Sequence, residues 1–262
     1  MRSRVLTALG LAVLLIAVLF ASPEVTTWAL GAVLLVGGWE WSAFLALPVA
    51  GRLAYVALLG CLGLLAMRYA SGGTAFVWLM QLAVIWWIAA LLWVAFAPTY
   101  GSRVAAALSG LPVLLPTWIA LVHIRFAAGA QWTLFILALA FAADTGAFFT
   151  GRAFGRRALA PRVSPHKTWE GVLGGMLLAL VIAAAGAVYF RQPWASFVGL
   201  CLVAAGFSVV GDLTESMLKR HVHLKDSGRL FPGHGGVLDR IDSVTAATPV
   251  MALGLVWLGA GR

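Results

Sequence analysis

Apolar residues run through the chain in long blocks, interrupted by short clusters of proline, glycine and charge. Each block is near the ~20 residues that carry a helix across a hydrocarbon layer. The breaks predict nine spans: 5–21, 28–47, 53–69, 74–96, 104–122, 132–150, 172–190, 194–217 and 241–258, the third being short. The pattern predicts an all-α, polytopic integral membrane protein. No internal repeat or linker divides it, so 1–262 reads as a single membrane domain, with mainly apolar spans over 1–130 and most of the chemistry over 131–262.

Composition agrees with the pattern: 62% of residues are hydrophobic and 10% charged, where a soluble domain carries roughly a quarter charged residues. No soluble core holds so much apolar surface, so the solvent for this fold is lipid. Cys61 and Cys201 lie inside apolar blocks without a C-x-x-C companion and read as inert packing residues.

The formal charge of +9 raises the question of a nucleic-acid partner, but the basic residues sit between apolar spans rather than on one polar domain, and no nucleic acid is expected. They sort by side instead. Arg2, Arg4, Arg52, Arg103, Arg152, Arg156, Arg157, Arg162, Lys167, Lys219, Arg220, Lys225, Arg229 and Arg240 fall on one side of the alternating spans; Arg68, Arg125, Arg191 and Arg262 fall on the other. Positive loops stay in the cytoplasm, which predicts a cytoplasmic N-terminus and an external C-terminus. Losing or adding a middle span would mix the two sets. Arg2 and Arg4 before 5–21 also suit a signal peptide ending near Ala21, but the block is read as a retained span. Trp28, Trp132 and Trp194 stand near span ends as expected interfacial anchors.

Seven of the nine acidic residues fall between positions 144 and 242: Asp144, Glu170, Asp212, Glu215, Asp226, Asp239 and Asp242. The topology brings Asp144, Asp212, Glu215, Asp239 and Asp242 to one membrane depth, from the sixth, eighth and ninth spans. A carboxylate at mid-span costs at least ~2.5 kcal/mol and usually marks a function. Snorkelling at the interface is the bland alternative, and it is weak for a cluster of anions that needs cations to hold it. For Glu40 alone, function and a polar contact between helices weigh equally.

Asp212, Glu215, Ser216 and Lys219 form one helical stripe, and Asp239 and Asp242 share a face. Carboxylates from different helices, with water and phosphate oxygens, make a usual Mg²⁺ site; the alternative is a set of ion pairs with Arg220 and Arg240.

Two basic loops flank these groups. GRAFGRRALAPRVSPHKTWEG, over 151–171, carries five positive charges, with Pro161 and Pro165 opposing a continuous helix. Its bland reading is a loop that sets topology. Its S-x-x-K at 164–167 lacks the companions of a serine nucleophile. In KDSGRLFPGHGGVLDRID, over 225–242, Gly233, Gly235 and Gly236 let backbone amides approach an anion at a helix start, and Lys225, Arg229 and Arg240 add charge. Phosphate fits there, although a glycine cluster alone is more often a turn. His234 among those glycines suits a hydrogen bond better than a metal. His221 and His223 read as solvated; His123 and His166 stay open between loop structure and substrate contact.

SMLKRHVHLKDSGRLFPGHGGVLDRID, over 216–242, resembles the signature of the phosphatidate cytidylyltransferase family, the CDP-diglyceride synthases. ADTGAFFTGR from Ala143, APRVSPHKTWEG, and GDLTESMLKR from Gly211 are also similar to it. His166 and Thr214 depart from residues common there. The resemblance implies transfer of a cytidylyl group from CTP to phosphatidate with Mg²⁺, giving CDP-diacylglycerol and pyrophosphate, in a bacterial-type inner or plasma membrane. It implies CTP, phosphatidate and membrane lipids as partners, and a homodimer.

On that basis Asp212 and Asp239 are expected as metal ligands, with Asp144 and Asp242 as ligands or organisers behind them, and with room for a second metal ion. Lys219, Arg220 and Lys225 are expected to neutralise phosphates together with Arg240, while Asp226 and His234 orient them. Ser164, Lys167, Thr168, Ser216, Gly235 and Gly236 are expected to contact substrate. A coupled transporter would place its charges near mid-bilayer. A CTP-using lipid kinase would release CDP instead of pyrophosphate. No P-loop and no D-G-x-x-A-R pattern is present.

Overall fold

The computed structural model describes residues 2–99, 101–228, 230 and 235–260, with side chains from Leu9 onward. Among the described residues the chain forms α1 (Arg2–Phe20), α2 (Pro23–Trp41), α3 (Val49–Tyr69), α4 (Gly73–Phe96), α5 (Arg103–Ala127), α6 (Ala130–Phe154), α7 (Trp169–Tyr189), α8 (Trp194–His221) and α9 (Leu238–Leu258). The eight from α2 onward are long and apolar enough to cross a membrane. Their outward faces carry large apolar side chains such as Trp28, Trp78, Ile85 and Val181, a surface suited to lipid rather than water. The chain is a multi-pass membrane protein.

Helix starts follow local chemistry. Ser22 caps α2 with Pro23 at its first position, Ser102 caps α5 and Thr168 caps α7, each through a side-chain oxygen accepting an amide of the first turn. The third span gains a turn over the sequence expectation because Arg52 is no boundary. Its guanidinium donates back to Ser42 Oγ at 2.9 Å and the Trp39 carbonyl at 2.8 Å, and lies over the Trp39 ring.

The helices alternate as the charge pattern requires. At one end, the connections before α3 and α5 and the end of α8 meet around one small pocket lined by Phe44, Ala46, Ser102, Arg103 and His221. At the other, Arg125 donates to the Leu19 and Ala21 carbonyls, His123 stacks on Phe76, and Trp132 stacks on Phe190 at 3.9 Å. Trp28 and Trp194 are exposed as anchors should be, but Trp132 is buried: its indole turns inward onto Phe190 and Phe197 instead of into lipid.

Two close crossings fix the second half of the chain. α6 and α7 touch backbone to backbone, since a Cβ on Gly146 would strike the Gly174 carbonyl, and α8 meets α9 where a Cβ on Gly211 would strike the Asp242 carbonyl. Small residues at such contacts let transmembrane helices approach closely.

The loop between α6 and α7 holds more order than its prolines suggested. β1 (Ala158–Ala160) and β2 (Ser164–Thr168) pair antiparallel, with Ala158 opposite Thr168 and Ala160 opposite Ser164. Pro161 falls in the turn and Pro165 on a strand with a free edge, where no ladder donor is lost. Val163 anchors the hairpin, buried against Val94, Leu213 and Met217.

Candidate active site

The hairpin closes one side of a cavity of about 550 Å³ between α6, α7 and α8. Asp144 and Asp212 enter it from α6 and α8; Ser164, His166, Lys167 and Thr168 enter from the hairpin, and Arg152 from the end of α6. Lys167 forms an ion pair with Asp212. Thr168 caps α7 by accepting from Gly171 N at 3.1 Å, so the positive end of α7 faces the same space. Glu170 fixes the approach to the hairpin by accepting from the Arg156 and Arg157 amides at 3.1 and 3.2 Å.

α9 joins behind the lining, through Asp144. Ser243 Oγ donates to Asp144 at 2.5 Å and Ser243 N donates to Asp242 at 2.8 Å. Asp144, Asp212 and Asp242 lie close enough for each to feel the others' charge. Three aspartates from three helices thus share one locality, as their common depth in the sequence predicted. Ser216 reaches Asp212 only at 3.5 Å.

A second cluster lies along the next stripe. Lys219, buried in α8, contacts Glu215 at 3.0 Å and Asp239 at 2.6 Å. The other Asp239 oxygen accepts from Ser227 N, Ser227 Oγ and Gly236 N at 2.9, 3.0 and 2.8 Å. Ser227 Oγ also reaches Glu40 of α2 at 3.0 Å, and Glu40 accepts from Val237 N and Leu238 N at 3.0 and 2.8 Å. Gly236 has no room for a Cβ between Glu40 and Ser227, and Gly235 takes φ +80°, which favours glycine.

These contacts revise several expectations. The amides at the start of α9 do face an anion, but it is the Glu40 carboxylate rather than a phosphate. Lys219 is held by two carboxylates, because i,i+4 spacing seats it on Glu215, and is not turned toward the cavity. Asp239 already meets four donors. Arg220 is exposed and donates to the Leu224 carbonyl, and Lys225 and Asp226 are exposed in the connector. Arg240 is exposed on the first turn of α9, within electrostatic reach of Asp144. His234, with Arg229 and Gly233, lies outside the described residues. His166 lines the cavity, whereas His123, on α5 at the other end, meets the Ser71 carbonyl of the connection before α4 at 2.5 Å. His221 is half-buried against Gly101 rather than solvated; His223 is exposed.

Over residues 2–258 the chain matches the cytidylyltransferase family. It belongs to that family. A phosphatidate cytidylyltransferase of Haemophilus influenzae is 39% identical over 278 residues, covering 95% of this chain and 96% of that protein. One of Pseudomonas aeruginosa is 41% identical over 245 residues, covering 87% and 86%. In this cytidylyltransferase, sequence reasoning undervalued Glu40, whose signal was a lone carboxylate in an apolar span, and missed Ser227 and Ser243. Serines carry no pattern of their own; only their contacts reveal them.

Proposed function

We propose that the chain transfers the cytidylyl group of CTP to the phosphate of phosphatidate, yielding CDP-diacylglycerol and pyrophosphate at the membrane face. The observation that carries the reading is the meeting of Asp144, Asp212 and Lys167 in one cavity at the end of an apolar bundle, in a chain similar along its length to phosphatidate cytidylyltransferases. The cavity is within the size range of small-molecule sites. Arg152, Lys167 and the α7 N-terminus suit the CTP triphosphate.

A phosphatidate oxygen attacks the α-phosphorus of CTP, and the bond from that phosphorus to the bridging β-oxygen breaks to release pyrophosphate. The attacking phosphate monoester is already largely ionised near neutral pH, so no general base is required. What the chain must supply is alignment and neutralisation of two anionic reactants.

Among the described residues no three histidine, cysteine or acidic groups form a ready-made metal cage. Mg²⁺ does not need one, because it takes one or two carboxylates and completes its shell with water and phosphate oxygens. Asp144 and Asp212 fit that requirement as hard oxygen donors lining the space for a triphosphate, with Asp242 behind them next to Ser243. When bound, the ion supplies positive charge to the phosphates. Asp239 joins this set only by releasing Lys219, which Glu215 would still neutralise. The fourteen basic residues on the hairpin side support placing that end and the N-terminus in the cytoplasm, and a homodimer is carried from the family resemblance.

Purified protein given CTP labelled at the α-phosphate, phosphatidate and Mg²⁺ should produce labelled liponucleotide and free pyrophosphate. Release of CDP, with no label in lipid, would replace this reading with a lipid kinase.

A further inference from the structure

A second cavity, of about 430 Å³, opens between α1, α2, α5, α6 and α9. We infer that this groove seats an acyl chain of the phosphatidate substrate, with Arg240 at its mouth meeting the lipid phosphate; the inference rests on the function proposed above. The walls are apolar, from Leu14 on α1, Val33 on α2, Trp118 on α5, Phe141 on α6 and Val244 on α9. Its two threonine hydroxyls are turned to helix carbonyls: Thr117 donates to Val113 at 2.7 Å and Thr245 to Asp242 at 2.6 Å. Arg240 is the charged residue in the lining.

Continuity with the active site identifies the occupant. On α6, Leu137, Phe141 and Asp144 stand at i, i+4 and i+7, so the groove wall leads along one helix face to the aspartate that lines the polar cavity. On α9, Arg240, Ile241 and Val244 face the groove, while Asp239 and Asp242 lie around the other side of the same turns. A lipid with its tail in the groove therefore has its headgroup beside Arg240 and Asp144. The cation at the mouth complements an anionic headgroup and no apolar partner. Along α5 the lining runs from Leu114 to Leu121, a depth of about 10 Å at the helical rise, enough for several methylenes beyond the headgroup.

The test fills the groove from its α1 and α2 walls, with Ala32→Trp, at a lining position of α2, and, separately, Leu14→Trp on α1. Turnover is measured in mixed micelles with dioleoyl and with dihexanoyl phosphatidate. We expect KM for the dioleoyl lipid to rise about tenfold, with KM for dihexanoyl phosphatidate and for CTP within about twofold. Independently of turnover, dioleoyl phosphatidate should raise the melting temperature of the wild type more than that of either variant. Unchanged KM for both lipids, equal losses on both, or a changed oligomeric mass with lipid KM intact would overturn the groove assignment. Absence of liponucleotide from the wild type would instead overturn the proposed activity, and the melting comparison would then still decide whether the groove takes a long-chain lipid.

Discussion

Two charged clusters sit within a turn or two of each other on α8 and α9, and they are built differently. Asp144 and Asp212 border a cavity, with Asp242 behind them next to Ser243, and the cation paired with Asp212 comes from a hairpin on the surface. Around Glu40, Glu215, Lys219 and Asp239 the charges are packed against one another and against backbone amides. Residue type and depth do not separate the two. Partners and access do: the first cluster is available to a substrate, and the second holds α2, α8 and α9 in the arrangement that makes the first.

The comparison breaks most sharply at Asp212. Asp212→Asn keeps the shape but removes charge from the cavity, and turnover should fall on the order of 10³-fold, the scale on which positioned electrostatic groups act. Its melting temperature in detergent should stay near that of wild type, since Lys167 and Asp212 are both partly exposed. Lys219→Met should do the opposite. It strands two buried carboxylates and should cost about 3–5 kcal/mol of stability, read as a large fall in melting temperature. Adding Glu215→Gln to Lys219→Met should restore part of that loss. If Lys219→Met melts normally yet is inactive, the second cluster is chemical rather than structural.

Glu40 sharpens the same division across a longer stretch of sequence. In Glu40→Gln an amide NH₂ must face Val237 N, Leu238 N or Ser227, leaving a buried donor unsatisfied at about 1–3 kcal/mol. A fall in melting temperature with a smaller loss of turnover is expected; unchanged stability would remove Glu40 from the frame. The substitution also asks whether the apolar first half supports the charged second half, which the contacts of Glu40 with the start of α9 require.

The spans, their alternation and the gathering of Asp144, Asp212 and Asp242 were legible because they follow from block length, loop charge and helical spacing, all local properties of the chain. Three features were not. The hairpin over 158–168 depends on Val163 finding Val94, Leu213 and Met217, a contact between distant segments. The anion facing the α9 amides was legible in kind, since a helix start attracts one, but not in identity, because Glu40 lies almost two hundred residues away. Trp132 was misplaced for the same reason: proximity to a span end does not say which way an indole turns.

The smallest effect expected is at Val163, and it tests how independent the cavity wall is from the frame. Val163→Ala removes two buried methyl-sized groups from the contact that docks the hairpin on α8, a loss of about 1–2 kcal/mol. The hairpin is short and lies at the end of the bundle, with Leu159 and Ala160 packed beside Val163 on the same cluster, so the loss should appear as local opening rather than as global unfolding. Lys167, Ser164 and Thr168 would then be in place for only a fraction of the time, and KM for CTP should rise several-fold while kcat at saturating CTP and the melting temperature stay close to wild type. A fall in kcat with KM unchanged would mean that the hairpin groups act on the reacting phosphorus rather than on the bound triphosphate, and Lys167 would move from holding the nucleotide to stabilising the transition state.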